Sequence, residues 1–405
     1  MTMRAMLLCT GLLALAACGR SQPGLDQTGA RPDLPDQRQT LLPPMKIATQ
    51  AKWGDEKPTA PAGFTVTALA TGLAIPRQTL VLPNGDILVA EGAGGGAPAL
   101  RPKDVIVNYI KAMGKSPVKG GNRITLLRDA DNDGQAELRT RFITGLNAPY
   151  GLAYVDGQIY VAAQDALLRF PYRDGMTRIT IPGVEVTKLP SHINHHWTKA
   201  LTAGPDGSKL YVGIGSNSNV GERSMGIEQD RAVIWEIDRQ SGMHRIYASG
   251  IRNPTALAVE PRTRRLWAVV NERDELGPQL VPDYMTAVRP GAFYGWPYSY
   301  WGQNVDPRVR PQKPDMVRRA IRPDYALGSH VAALGISFTT QGGFSGSFTE
   351  GAFVGEHGSW NRRSVWLQGR LGAIRQWASI GQAARFPDGL HQGRPRSRPS
   401  GRRHL

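Results

Sequence analysis

Three histidines within five residues, His192, His195 and His196, are the side chains of this sequence best suited to proton transfer near neutral pH. They precede a predicted hairpin that turns at a Pro-Asp-Gly triplet, residues 205–207. A shared metal site is disfavoured, because His195 and His196 are adjacent and no Asp or Glu stands close to them in the chain. The pattern favours one histidine acting as a general base, and a partly buried structural imidazole is the alternative.

A cation and an amide occur together in the triplet Arg252-Asn253-Pro254. Two related positions in the chain hold milder triplets, Asn-Ala-Pro at 147–149 and Ala-Ile-Pro at 74–76. Because the planar guanidinium suits carboxylates and oxyanions, we interpret this triplet as a site for a negatively charged group. An ordinary surface arginine is the alternative.

Hard oxygen ligands surround a sharp turn at Gly134. The acids occupy alternating positions and one later position: Asp129, Asp131, Asp133 and Glu137. This composition predicts a structural Ca²⁺ loop, although it is not an EF-hand because Thr140 stands at the twelfth position. A solvated acidic loop between strands is the alternative.

A second group of acids, Glu272, Asp274 and Glu275, follows a predicted strand and precedes Gly277-Pro278. Carboxylates and turn carbonyls directly after a strand could bind a cation. Aromatic residues then cluster between positions 293 and 301 and offer stacking faces for a sugar or a planar cofactor. Aromatic side chains are more often part of a core, so the cluster alone is a weak signal.

These groups are carried by a recurring unit of two apolar, alternating strands joined by a tight turn. Turns fall at Gly85, Gly157 and Gly207, where Asn-Gly or Asp-Gly pairs supply the positive φ that such hairpins need, and again near Thr263. The first three turns are 72 and 50 residues apart, which is long for a sandwich and typical of four-stranded propeller blades with insertions. An unrelated β-sandwich is the alternative.

Both cysteines of the chain, Cys9 and Cys18, lie near the N-terminus. Residues 1–18 have the pattern of a secretion signal, with Arg4 ahead of an apolar core and Leu-Ala-Ala-Cys at the end. This ending resembles a bacterial lipobox, which predicts that Cys18 becomes the lipidated first residue of a periplasm-facing protein; an ordinary signal peptide is the alternative. Residues 19–61 are polar and rich in Pro, Gln and Asp, and are predicted to form a flexible tether.

The final segment, residues 362–405, differs from the rest in composition. It holds ten arginines and one acid and thus contributes +9 of the formal net charge of +16. The remaining charge forms no basic stripe, which argues against a nucleic-acid partner. If suitable codons are chosen and the reading frame is shifted by one base, three stretches of the tail encode strand-like sequences. Residues 365–370, for example, then give Ser-Gly-Tyr-Lys-Val. We therefore predict that the tail is out of frame; a natural basic tail is the alternative.

Five ordered motifs between about residues 62 and 361 resemble the soluble quinoprotein glucose/sorbosone dehydrogenases, most closely the sorbosone dehydrogenase branch. The motifs are His196-Trp-Thr-Lys-Ala-Leu ahead of Gly204-Pro-Asp-Gly, Gly250-Ile-Arg-Asn-Pro, Asn271-Glu-Arg-Asp-Glu, Tyr294-Gly-Trp-Pro and Gly355-Glu-His-Gly-Ser-Trp-Asn.

The resemblance implies a six-bladed β-propeller, incomplete at its C-terminal end if the tail is out of frame, that holds pyrroloquinoline quinone (PQQ) over a Ca²⁺ ion. It further implies that His196 takes the proton from the sugar C1 hydroxyl while hydride passes to the quinone. Arg252 and Asn253 match the pair that binds the quinone and polarises its reactive carbonyl. Lys199 and Arg362 are also assigned to cofactor binding, Arg362 as a partner of the quinone carboxylates.

The sequence departs from the family pattern at the calcium ligands. Glucose-oxidising relatives place a Gly-Pro pair, whose carbonyls ligate Ca²⁺, directly after the Glu-His that follows the strand. Here Arg-Asp-Glu-Leu separates Glu272 from Gly277-Pro278. Asp274 and the carbonyls of Gly277 and Pro278 are therefore the candidate ligands of the cofactor Ca²⁺.

The expected function is PQQ-dependent oxidation of an aldose or a sugar aldehyde such as sorbosone at the cell envelope. The expected partners are a small sugar, a quinone or cytochrome as electron acceptor, and the membrane through the lipid anchor. If the tail is out of frame, the chain could be inactive. A non-catalytic envelope propeller that binds carbohydrate or protein is the alternative. A propeller lactonase would need acids that converge on the channel, and the sequence offers no clear set.

Overall fold

The computed structural model describes residues 24–38, 63–95, 104–105, 108–109, 112, 118–339 and 351–358, and the backbone of 374–378. This part of the chain is built almost entirely of short antiparallel strands. Its helical structure is confined to residues 104–105, 108–109 and 112, a 3-10 turn, Met225–Glu228, and a short α-helix, α1 (Pro314–Arg319). None of the described helices is long and apolar enough to cross a membrane.

The first strand, β1 (Thr28–Gly29), is followed by four sheets, here called blades 1 to 4. Blades 1 to 3 have four strands each, and blade 4 has four strands to which β1 adds a fifth. Blade 1 contains β2 (Pro76–Val81), β3 (Ile87–Glu91), β4 (Arg123–Arg128) and β5 (Leu138–Ile143). Blade 2 contains β6 (Gly151–Val155), β7 (Gln158–Ala162), β8 (Ala166–Pro171) and β9 (Val184–Lys188). Blade 3 contains β10 (Leu201–Ala203), β11 (Lys209–Ile214), β12 (Val233–Asp238) and β13 (His244–Ser249).

Blade 4 contains β14 (Pro254–Val259), β15 (Leu266–Val270), β16 (Pro282–Ala287) and, after an excursion, β19 (Tyr325–Ser329). The excursion holds α1 and a small hairpin of β17 (Ser299–Tyr300) and β18 (Asn304–Val305). A fifth sheet contains β20 (Ala333–Phe338), β21 (Ala352–Glu356) and β22 (Ile374–Ala378).

The sheets are arranged as a β-propeller. The first strand of each sheet contacts the first strand of the next, in the order β2, β6, β10, β14 and β20. Apolar side chains fill the space between blades; Leu88, Ile124 and Phe142 of blade 1, for example, pack with Leu152 and Ile159 of blade 2. The propeller class is therefore confirmed, while the described residues supply four complete blades and a three-stranded fifth sheet, so that a count of six stays a prediction.

Polar side chains of the inner strands bridge the propeller axis. The Gln78 amide donates to the carbonyls of Leu152 and Leu201, both at 3.0 Å, and so joins blades 1, 2 and 3. The Tyr150 hydroxyl donates to the Thr255 carbonyl at 2.9 Å and joins blade 2 to blade 4. Because these groups are buried or half-buried and paired, they fix the positions of the blades that carry the site.

Part of the predicted tether belongs to the folded domain. Within residues 24–38, β1 pairs with β19, and the Gln27 amide donates to the Ser329 hydroxyl at 3.1 Å. Without β1, the outer strand of blade 4, β19, would leave backbone N–H and C=O groups unpaired. Strand β1 supplies hydrogen-bond partners for these groups. The tether prediction is thus corrected for this stretch, while residues 1–23 and 39–62 lie outside the described residues.

The tail also differs from its prediction at one point. The sequence predicts that strand alternation is lost after residue 361, yet the backbone of Ile374–Ala378 pairs antiparallel with Ala352–Glu356 as β22. The rest of residues 362–405, including Arg362, lies outside the described residues.

Candidate active site

The site forms at one end of the propeller, where inner strands begin and second strands end. Backbone hydrogen bonds join its segments: the Ser216 N–H donates to the Arg252 carbonyl at 2.8 Å, and the Asn271 N–H donates to the Asn253 carbonyl at 3.0 Å. The His196 N–H in turn donates to the Ser216 carbonyl at 3.2 Å. The structure thus brings together the histidine and the Arg-Asn pair that the sequence places on different blades.

Gly215 makes this approach possible. A Cβ atom on this residue would lie 2.5 Å from Asn253 Oδ1 and 2.5 Å from His196 Cβ. Real Cβ atoms do not make such contacts, so any other residue would push the histidine and the amide apart. The glycine at the end of β11 is therefore part of the site, a role that sequence reasoning did not assign to it.

The hydrogen bonds of His196 define its neutral tautomer. Its Nδ1 lies 2.8 Å from the Ser216 carbonyl and 3.0 Å from the Ser216 hydroxyl oxygen, whose proton is donated to the Ser218 carbonyl at 2.6 Å. Both neighbours of Nδ1 are thus acceptors, so Nδ1 carries the proton. The lone pair is consequently on Nε2, which is the arrangement that a general base needs.

The surroundings of His196 keep its ring neutral. Burial lowers the pKa of His196 well below its usual value, and the positive charge of Arg252 and the neighbouring His195 act in the same direction. The hydrogen bond to Ser216 opposes this effect without reversing it. Among the described residues no carboxylate contacts the ring, so the imidazole is available to accept a proton at neutral pH.

Arg252 is buried and its guanidinium is fully engaged by the protein. Its shortest bonds reach the Glu272 carbonyl at 2.7 Å and Asn219 Oδ1 at 2.9 Å. Longer contacts of 3.3–3.4 Å reach the carbonyls of Asn219 and Asn271 and the Asp274 carboxylate. Because these contacts account for all five N–H groups, Arg252 offers the site its positive charge, and a direct bond to a ligand would require one of the long contacts to open.

Two amide groups beside Arg252 have atoms left over for a ligand. Asn253 accepts a hydrogen bond from Thr198 at 3.4 Å, and no described residue accepts from its Nδ2 group. The Oδ1 atom of Asn271 is buried and has no hydrogen-bond partner among the described residues. Buried polar groups are normally paired, so this donor and this acceptor, on adjacent bonded segments, suit a polar ligand that supplies the missing partners.

The proposed calcium ligands converge on a residue that sequence reasoning missed. His330 Nε2 lies 3.0 Å from the carbonyls of Gly277 and Leu280, and its Nδ1 lies 3.4 Å from the Asp274 carboxylate. Burial lowers the pKa of His330, but the Asp274 carboxylate outweighs it and the net pKa is raised. The ring therefore lies between the oxygens assigned to Ca²⁺ by sequence, and no spacing signal marks His330 in the chain.

Lys199, assigned to cofactor binding, has a different position. Its side chain is fully buried, and its ammonium group donates to Asn194 Oδ1 at 3.1 Å and to the Trp197 carbonyl at 3.0 Å. These partners belong to the loop that carries His196, so Lys199 supports this loop, and its assignment to cofactor binding stays a prediction.

The acidic loop between β4 and β5 is assembled as predicted. The carboxylates of Asp129, Asp131, Asp133 and Glu137 offer ligand atoms that all lie within 4.8 Å of one another. Backbone N–H groups of the loop already bind them; that of Gly134 donates to Asp129 at 2.8 Å. In the described part of the chain, this is the one group of three or more potential ligand residues that comes so close together.

A propeller that presents a neutral histidine, a buried arginine and open amide groups at one end of its axis has the form of a sugar dehydrogenase of the quinoprotein class. Residues 152–357, half of the chain, match the model of the Glucose / Sorbosone dehydrogenase family, and the chain belongs to that family.

Solved structures share the fold. The PQQ domain of pyranose dehydrogenase from Coprinopsis cinerea, in its holo form, is 18% identical, with 78% of each chain covered and a TM-score of 0.59. A calcium structure of a Carbohydrate-Active Enzymes Family AA12 protein from Trichoderma reesei is also 18% identical, covering 76% of this chain and 79% of that one, with a TM-score of 0.58.

A curated relative also matches part of the chain. An uncharacterized protein of Borreliella burgdorferi is 27% identical over 240 residues, which cover 54% of this chain. The matched region spans 59% of that relative's own length.

Proposed function

We propose that this protein is a PQQ-dependent dehydrogenase that oxidises an aldose or a sugar aldehyde such as sorbosone at C1. The observation that carries the proposal is the tautomer of His196, whose protonated Nδ1 leaves the Nε2 lone pair free. The charge of Arg252 acts on this ring, and His196 and Asn253 approach each other across Gly215. Membership of the Glucose / Sorbosone dehydrogenase family supports it, and so does the likeness of the fold to a domain named for PQQ.

The residues present suit the cofactor. Asn253 Nδ2 and Asn271 Oδ1 have bonding capacity for a planar polar ligand, and Arg252 supplies positive charge. The oxygens of Asp274, Gly277 and Pro278 have the chemistry that Ca²⁺ prefers, and two of them already converge on His330. When bound, PQQ would supply the two-electron acceptor for the hydride of the substrate.

Residues of this chain would accept and release the proton of the substrate hydroxyl. The C1 hydroxyl of the sugar, or of the hydrated aldehyde, loses its proton to His196 Nε2, while Nδ1–H remains bonded to the Ser216 carbonyl. The nearby positive charges disfavour the resulting imidazolium, so the proton is released to water once the substrate carbon has been oxidised. Gly215 keeps the base and Asn253 in contact throughout.

Reconstitution tests this proposal. The purified chain is mixed with PQQ and Ca²⁺, and dye reduction is followed with a panel of aldoses and sorbosone. We expect reduction with at least one sugar and a change in the absorbance of the quinone on binding. Carbohydrate binding without either signal, also in a protein whose tail frame has been restored, would contradict the proposal and favour a non-catalytic propeller.

We further propose that the protein is attached to the cell envelope through a lipid on Cys18 and faces the periplasm, with a quinone or cytochrome as electron acceptor. The Leu-Ala-Ala-Cys sequence supports this location. Palmitate labelling of the wild-type protein and of C18S tests it. Labelling that persists in C18S, or a wild-type protein that is recovered wholly in the soluble fraction, would contradict it.

The change of frame near residues 362–364 also remains our proposal. The family match ends at residue 357, close to the point where the composition changes. Resequencing the DNA across these codons tests it. An intact frame that encodes this tail, together with an active product, would contradict the proposal.

A further inference from the structure

Two buried basic side chains, Arg231 and Lys199, bond to the loop that carries His196. We infer that Arg231, assisted by Lys199, is a positioning residue for His196: it fastens the histidine loop to the end of β11 so that Nε2 stays directed to the reaction site. The inference rests on the proposed function in taking His196 as the base. It concerns two residues that neither family resemblance nor spacing marks for this task.

The contacts of Arg231 join both sides of the site. Its Nε donates to the Gly215 carbonyl at 2.8 Å, at the end of β11. Its terminal nitrogens donate to the histidine loop, to the carbonyls of Pro190 at 2.8 Å and His196 at 3.1 Å and to Asn194 Oδ1 at 3.1 Å. One planar guanidinium therefore holds the base, its loop and the glycine that lets Asn253 approach, an arrangement that a lysine cannot reproduce.

Every hydrogen-bond acceptor of Arg231 is uncharged. In the part of the chain that the structure describes, no carboxylate forms an ion pair with it, and the nearest influential acid, Glu228, is bonded to the Asn217 N–H at 2.7 Å and to the Ser218 hydroxyl. Burial lowers the pKa of Arg231 to about 10. A buried charge without a counter-ion is unfavourable for stability, so its presence here points to a role in shaping the site.

The loop itself needs external support. Ile193 and Asn194 have φ values of 61° and 53°, in the left-handed region that side chains rarely adopt and that a β-branched residue strongly disfavours. Asn194 Oδ1 accepts hydrogen bonds from both Arg231 and Lys199, each at 3.1 Å. Arg231 and Lys199 thus hold Ile193 and Asn194 in a left-handed backbone conformation that these residues intrinsically disfavour.

Arg231 also acts on the base through its charge, since it is among the groups that lower the pKa of His196. Geometry and charge can be separated by two substitutions. R231K keeps the charge and loses the fork of hydrogen bonds, whereas R231Q loses both. Arg245, an exposed residue of β13 that pairs with Glu236 at 2.7 Å, provides the matched controls R245K and R245Q.

Two measurements on the full chain test the inference. The first is steady-state kinetics with PQQ, Ca²⁺ and the best sugar substrate. The second is NMR of ¹⁵N-labelled histidine in the protein without PQQ, with the His196 signal assigned by its loss in H196N. We expect R231K to lower kcat about 10- to 100-fold with little change in KM, because a misdirected base reacts slowly from a normally bound substrate.

In the NMR measurement, wild type should show the Nδ1–H tautomer, titrating well below pH 6.5. R231K should lose the single tautomer, and R231Q should also shift the titration midpoint upward. The Arg245 controls should match wild type in both measurements.

Wild-type kcat in R231K together with an unchanged His196 tautomer would overturn the inference. If circular dichroism shows that R231Q does not fold, the inference is tested with R231K and K199Q instead, by the same kinetic and NMR measurements. If wild type itself shows no turnover, the proposed function fails, while the NMR measurement still decides whether Arg231 positions the ring. The two failures are therefore distinguishable.

Discussion

Blades 3 and 4 meet at the same site with opposite electrostatic designs. On blade 3 the buried basic residues Arg231 and Lys199 bond to the loop of His196, the proposed base, and no described carboxylate contacts its ring. On blade 4 the carboxylate of Asp274 lies between Arg252 and His330. The first arrangement keeps a base neutral, and the second concentrates oxygen ligands where positive charge can be held. From this contrast we propose that blade 3 carries proton transfer and blade 4 holds the cation.

Removing the base should have the largest effect. H196N is expected to lower kcat by about 10²–10⁴-fold, the usual contribution of a general base, without loss of the fold. Dye reduction under saturating sugar measures it. H192N, which changes an exposed histidine of the same loop, is the control and should retain wild-type activity.

Closing the gap between the blades should have the next largest effect. G215A places a methyl group against His196 and Asn253 and should lower kcat/KM about 100-fold, with about 1–3 kcal/mol lost from the free energy of unfolding. G335A is the matched control, since a Cβ atom at Gly335 would meet nothing within 4 Å. Equal effects of the two substitutions would contradict the assigned role of Gly215.

The contacts of Asp274 on blade 4 should contribute to the stability of the fold. D274N removes the carboxylate between Arg252 and His330 and should lower the free energy of unfolding by about 1–3 kcal/mol. Urea unfolding followed by tryptophan fluorescence measures this change. D315N, at an exposed pair on α1, should leave stability unchanged within error. If D274N has the same free energy of unfolding as wild type, the contacts of Asp274 with Arg252 and His330 do not contribute to stability.

The pH dependence of kcat/KM tests the role of His196 on blade 3. Only neutral His196 accepts a proton, and its pKa lies well below 6.5, so kcat/KM should stay level down to that pH and fall only at still lower pH. R252Q removes a positive charge that lowers this pKa and should move the acid limb upward. A wild-type limb at or above pH 6.5 would contradict the description of His196 as buried among cations.

The smallest effect is expected far from both blades, in the acidic loop of blade 1. If Asp129, Asp131, Asp133 and Glu137 bind Ca²⁺, millimolar Ca²⁺ should raise Tm by a few degrees, since a ligand that binds only the folded state stabilises it. D131N should reduce this rise. An equal rise in wild type and D131N would place the bound ion outside this loop. Calcium-independent melting of wild type would leave the loop as a solvated acidic turn and would also count against a Ca²⁺ site on blade 4.

The sequence predicts those features that depend on local pattern. Hairpin turns give the blade repeat, a departure from that repeat singles out Arg252, and the family resemblance singles out His196 among the three histidines. Arg231 and His330 could not be predicted in this way, because their importance arises from loops that meet only in the folded chain. The burial of Lys199 could not be predicted either, because its proximity to His196 in the chain says nothing about how the fold packs its side chain. Residues 24–38 look like a tether by composition, yet they complete an open sheet edge.

The central claim is that His196 is the base of a PQQ-dependent sugar oxidation. Its most direct test is anaerobic stopped-flow absorbance, with PQQ and Ca²⁺ bound and no external electron acceptor, after mixing with sugar. We predict that wild type reduces its bound quinone in one turnover, and that H196N binds PQQ with similar affinity but reduces it at least about 100-fold more slowly. Reduction by H196N at the wild-type rate, or failure of the wild-type protein to bind PQQ, would contradict the account.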